Sequence, residues 1–113
     1  MAAMFTTRIL SREEIVLQVT GAMTGDAVGR FEAALTALQK SHYRRITLDL
    51  SQVNDVSSLF IGHILQAHAA LSPTNRQVRI CGYQDSVGDI LRMLGVEKTV
   101  PVQKEPLPPA ARA

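Results

Sequence analysis

Between Ile15 and Val102, short runs of β-branched and aliphatic residues alternate with longer segments in which apolar residues recur every three or four positions. A strand, a helix and a second strand joined by short connections return the chain in its original direction. The pattern therefore demands a sheet containing parallel pairs, with helices packed on it. The length leaves room for one such unit, because 113 residues with 46% hydrophobic content can fill one core but not two. With three Phe, two Tyr and no Trp, that core rests on aliphatic side chains.

The strand Ile15-Val16-Leu17-Gln18-Val19-Thr20 is closed by Gly21, and residues 5–10 are expected to pair with it through a turn at Ser11 to Glu14. Thr24 stands where it could cap a first helix reaching about Ser41, with Val28, Phe31, Leu35 and Leu38 on its apolar side. Arg45-Ile46-Thr47-Leu48-Asp49-Leu50 predicts a buried central strand, followed by a polar connection over residues 51–56. After Ser57-Ser58, the run Leu59, Phe60, Ile61, Ile64, Leu65 and Ala67 predicts a helix buried on more than one side and ending near Ser72-Pro73. A strand over 77–82, a helix capped by Asp85-Ser86 and stopped by Gly95, and a last strand over 99–102 complete the order β-β-α-β-α-β-α-β. The domain is thus expected to span 1–103. Residues 104–113, with three prolines and little to bury, read as a disordered or extended tail.

Charge and composition exclude several function classes. Lys and Arg outnumber Asp and Glu only 12 to 10, and the short basic spots Arg44-Arg45 and Arg76 with Arg79 read as solvated strand ends. That is not the concentrated stripe of a nucleic-acid binder. The single Cys81 precludes an internal disulfide and, with the His spacing, offers no zinc site. His63 and His68 are five residues apart, off the three-or-four spacing that puts a ligand pair on one helix face. A set of Asp55, His63 and Ser58 lacks a nucleophile elbow, and Gly21, Gly25 and Gly29 lack the Lys-Ser/Thr of a phosphate loop. These observations predict a non-enzymatic chain without cofactor or metal. Neither a secretory leader nor a membrane span is legible, so a cytoplasmic setting without membrane insertion is expected.

The segment Leu48-Asp49-Leu50-Ser51-Gln52-Val53-Asn54-Asp55-Val56-Ser57-Ser58-Leu59-Phe60-Ile61-Gly62 resembles the signature of STAS domains of the anti-sigma-factor antagonist family. There, a Leu-polar-Leu strand leads through a short loop into Asp-Ser-Ser-Gly-Leu-Gly and an apolar helix. On that pattern Ser57 stands at the Asp, Ser58 at the phosphorylated Ser, Leu59 at the second Ser, Phe60 at the first Gly and Gly62 at the second. The likeness extends by element order from about Phe5 to Val102. It implies a STAS-type α/β fold and a module that sequesters an anti-sigma factor with serine-kinase activity while Ser58 is unphosphorylated, with a phosphatase resetting it. A constitutive STAS subunit of a signalling scaffold or lipid-transport complex is the alternative, and a weak homodimer stays open. Residues expected at the partner surface are Asp55, Val56, Ser57, Ser58, Leu59 and Phe60, with Thr24 and Asp26 beside them; for Phe60 the alternative, and the commoner fate of an aromatic in an apolar helix, is to face the sheet as core. Departures from the family pattern are the missing Asp, Phe60 in place of Gly, and the proline-rich tail in place of a closing helix.

The expected chemistry of Ser58 follows from its position. A serine at a helix start lies beside free backbone N–H groups at the positive end of the helix dipole. Phosphorylation adds about −1.5 to −2 charge, which the dipole stabilises by only about 0.3–1 kcal/mol, whereas a misplaced like charge inside an interface costs several kcal/mol. The larger effect should fall on docking and not on folding. Serine is also a common N-cap, and Ser57 is the natural candidate for that role, standing second to Ser58 as a phosphoacceptor.

Overall fold

The computed structural model describes residues 3–107 of the chain. Its elements are β1 (Met4–Ile9), β2 (Glu14–Met23), α1 (Asp26–Gln39), β3 (Arg45–Val56), α2 (Ser58–Leu71), β4 (Gln77–Tyr83), α3 (Asp85–Met93) and β5 (Val102–Gln103), in the expected order. The strands lie side by side as β1-β2-β3-β4-β5; β1 and β2 are antiparallel and every later pair is parallel. Each crossover steps one strand further the same way, so right-handed connections put all three helices on one side of the sheet. Ile15, Leu17 and Val19 of β2, Ile46, Leu48 and Leu50 of β3, and Val78 and Ile80 of β4 face that side. They form a single cluster with Phe31, Phe60, Ile64, Val87 and Leu91 from the helices.

The strands' alternate residues face away from the helices and are largely polar. Glu14 organises this side: its carboxylate accepts a hydrogen bond from Thr47 Oγ1 at 2.6 Å and lies 3.5 Å from Arg45 and 3.6 Å from Arg79. Asp49, 7% exposed, accepts from the backbone N–H and hydroxyl of Ser51 at 3.0 and 2.7 Å.

Several local expectations are corrected. Residues 51–56 are not a loop: they continue β3, because β2 also runs on past Gly21 and pairs Thr20, Gly21, Ala22 and Met23 with Gln52, Val53, Asp55 and Val56. Gly21, at φ 100, permits the irregularity that keeps this extension in register. Thr24 does not cap α1; Gly25 occupies that position without a side-chain bond, and Gln84, not Asp85 or Ser86, precedes α3. Helix α2 is buried along one side only, through Phe60, Ile61, Ile64, Ala67 and Leu71, while Gly62, Gln66, Ala69 and Ala70 face out. The last strand starts later than expected, since a 3₁₀ turn at Val96–Lys98 takes up the chain after Gly95. Arg76 is no solvated strand end: its guanidinium donates to the carbonyls of Tyr43, Gln39 and Ser41 at 2.8, 3.0 and 2.9 Å, closing the end of α1 and the turn into β3. His68 Nδ1 accepts the N–H of Val78 at 3.2 Å, and His63 lies 3.8 Å from Glu32.

The expected tail is described as far as Leu107, and its remainder lies outside the described residues. Lys104 pairs with Asp85 at 3.0 Å, holding that carboxyl below its usual range through the hydrogen bond and charge of the lysine. Pro106 crosses Gly82, where the left-handed φ of 62 and the approach of Pro106 and Ser51 exclude a side chain. Leu107 then brings its backbone toward the Cys81 thiol. Burial pushes that thiol up, an effect the Leu107 backbone partly opposes. A chain ending at Gln103 is expected to keep its far-UV spectrum while Cys81 reacts with Ellman's reagent at least about tenfold faster than in the full chain. Equal rates would show that residues 104–107 do not shield the thiol.

Candidate docking face at the tip of α2

The parallel partners Met23 and Val56 end their strands together, so residues 24–26 and 57–59 leave the sheet side by side. The N–H of Ser57 donates to the carbonyl of Met23 at 3.1 Å, tying the two exits. Ser57 is extended (φ −103, ψ 163) and caps α2: its Oγ accepts from Phe60 N at 3.2 Å and its carbonyl accepts from Ile61 N at 3.2 Å. Aspartate is an equally good cap. Ser57 in place of the family's Asp therefore removes a charge from the tip and leaves the capping intact.

Ser58 is the first helical residue and is exposed. Its hydroxyl makes no hydrogen bond among the described residues, and the helix does not need it, since the cap lies one residue earlier. Leu59 is 61% exposed, and Asp55, Thr24 and Asp26 are also at the surface. Burial corrects the partner role expected of Val56 and decides Phe60 for its core alternative. Val56 is 7% exposed, and Phe60 is sealed against Phe31 at a centroid distance of 4.4 Å, so neither side chain can meet a partner. Phe60 fills the space beneath the tip that a glycine would leave open.

One residue of this face escaped the expectation. Gly62 is exposed one turn after Ser58, and a Cβ added there would meet nothing within 4 Å. Residues 58 and 62 share one helix side, as do 59, 62 and 66, so Ser58, Leu59, Gly62 and Gln66 line a common strip. The only signal in the sequence was the position of Gly62 at the motif's second glycine. Residues 24–26 and 54–59 contain Asp26 and Asp55 but no Lys or Arg, so a phosphoryl group here would find no cation in its own segments.

A family model described as "Mlab, STAS domain" matches residues 7–104. The chain belongs to this STAS family. Solved STAS-type structures share its fold. An anti-sigma factor antagonist from Mycobacterium paratuberculosis matches with TM-score 0.82 and 16% identity over 90% of this chain and 86% of its own. The unphosphorylated anti-sigma factor antagonist SpoIIAA matches with TM-score 0.74 and 17% identity over 88% and 87%. A sulfate transporter family protein from Wolinella succinogenes matches with TM-score 0.72 and 10% identity over 87% and 82%. No curated protein matches the sequence. STAS domains thus serve in different protein settings, and what distinguishes one from another must be sought in sites such as the α2 tip. Among the described residues no helix is long and apolar enough to cross a membrane.

The division of labour between the two serines has a measurable consequence. Ser57→Ala is expected to lower stability in urea denaturation by about 0.5–2 kcal/mol and Ser57→Asp to restore it. Ser58→Ala should stay within about 0.5 kcal/mol of wild type. A larger loss at 58 than at 57 would reverse the assignment of the cap.

Proposed function

We propose that this STAS domain is a non-enzymatic anti-sigma-factor antagonist that sequesters an anti-sigma factor with serine-kinase activity through the α2 tip, and that phosphorylation of Ser58 blocks the docking. The observation that carries this reading is the exposed Ser58 hydroxyl at a helix start whose capping is done by Ser57. Such a hydroxyl is open to a kinase without cost to the fold. Its phosphate would stand beside Leu59 and in line with Gly62, where a partner would have to bury it or withdraw. The solved SpoIIAA structures include a phosphorylated form of that antagonist, which supports the compatibility of this fold with the modification. A phosphatase completes the cycle, and the setting is the cytoplasm.

A pull-down with anti-sigma factors of the serine-kinase type from the same cells tests the reading. Wild type and Ser58→Ala should bind alike, and Ser58→Asp at least about tenfold more weakly, as a like charge in an interface implies. Equal binding by all three removes the switch.

Gly62 provides an independent check. An exposed helical glycine costs about 0.5–1 kcal/mol relative to alanine, and nothing in the fold requires it. Close approach of a partner would explain it. Gly62→Gln is expected to raise the unfolding midpoint while weakening docking; full binding by this variant would place the contact elsewhere.

A second reading, a constitutive subunit of a signalling scaffold or lipid-transport complex, is favoured by the uncharged Ser57 at the motif's Asp position. Intact-mass measurement on protein from its native cells separates the two, because a subunit of that kind has no use for a phosphate on Ser58.

A further inference from the structure

The two edges of the sheet are protected unequally. At one edge, β5 is only two residues long, follows Pro101 and is succeeded by residues 104–107 folded back over the sheet. The opposite edge is β1, six residues without Pro or Lys, with Met4 55% and Ile9 63% exposed. Arg8 is the only charged residue of β1, so an edge of that length and composition is weakly defended against strand addition.

The hairpin register shows which backbone groups are on offer. Leu10 N–H donates to the carbonyl of Glu14 at 2.9 Å. With Ile9 opposite Ile15 and Arg8 opposite Val16, the even-numbered residues of β1 exchange bonds with β2. The N–H and C=O groups of Phe5, Thr7 and Ile9 therefore point away from the sheet. The carbonyl of Ala3, in the same phase, confirms the direction: it is taken by the guanidinium of Arg30 at 3.4 Å, which also sits 5.8 Å over the Phe5 ring.

We propose that β1 pairs antiparallel with β1 of a second copy of this chain, about a two-fold axis at Thr7. An axis normal to the sheet keeps each face on its own side, so odd residues must meet odd and even must meet even. Centring on Arg8 would set two guanidinium groups directly opposite each other, which disfavours that register. Centring on Thr7 sets Phe5 opposite the partner's Ile9, twice over, and Arg8 opposite the partner's Thr6. This register covers the exposed Ile9 with an aromatic ring, and Phe5, Thr7 and Ile9 all gain backbone partners. Helices of both copies then lie on one side of a continuous sheet. The two α2 tips point in opposite directions along the strands and remain open, so the pairing is independent of Ser58.

Sedimentation equilibrium of the full chain over a range of concentrations is expected to show a reversible monomer–dimer equilibrium. Thr7→Pro deletes an N–H that β2 does not use, and Ile9→Lys puts a charge where the partner's Phe5 would pack. Each should raise the dissociation constant at least about tenfold with the far-UV spectrum retained. Should Thr7→Pro fail to fold, Ile9→Lys, at an exposed position, decides alone. The register is read by oxidation: Thr7→Cys should cross-link to a dimer and Thr6→Cys should not, against the same Cys81 background. A wild-type chain that stays monomeric at every concentration overturns the proposal and leaves the edge to a strand from another protein. A dimer indifferent to both substitutions overturns it as well.

Discussion

The parallel pairing of β2 with β3 governs what this domain can present. β3 pairs with β4 only as far as Leu50, yet continues to Val56 with β2 beside it. The pair therefore carries the start of α2 beyond the end of β4 on a hydrogen-bonded ribbon whose inner side is closed by Met23, Val53 and Val56. A tip mounted in this way is positioned by ladder bonds and buried side chains. A free polar loop would have had to lose conformational entropy on docking, and here that cost falls largely on folding.

The same ladder separates two jobs that adjacent serines could have shared. Ser57 is held by Met23 and spends its hydroxyl on Phe60 N, while Ser58 spends its own on nothing among the described residues. Phe60 drives the helix start into the core against Phe31, which fixes Ser58 and Leu59 on the outside. A residue that looked like a departure from the motif thus supports the motif's geometry. It does so from beneath, by packing.

The helix-free side of the sheet is built on other terms. Its centre is a charge cluster around Glu14, its strand β4 carries the bulge at Gly82, and the segment from Lys104 to Leu107 crosses there. Arg76, far from the tip, gathers the carbonyls at the end of α1 that no helix bond can satisfy. Among the described residues the α2 tip and the outward groups of the β1 edge are surfaces whose groups are not consumed by the fold, and the two lie at different margins of the sheet.

By itself the sequence determined the element types, their order and the parallel crossovers, because periodicity and turn residues are local properties that each segment carries with it. It also located Ser57 and Ser58 at a helix start, since capping depends on neighbours within a turn. Tertiary structure alone decided that residues 51–56 are strand, that Val56 and Phe60 are unavailable to a partner while Gly62 is available, and that Arg76 grips three carbonyls. Each of these depends on groups brought together from distant positions: the extension of β3 exists only because β2 runs beside it, and a polar run such as Ser51-Gln52-Val53-Asn54-Asp55 carries no record of the strand that will satisfy its backbone.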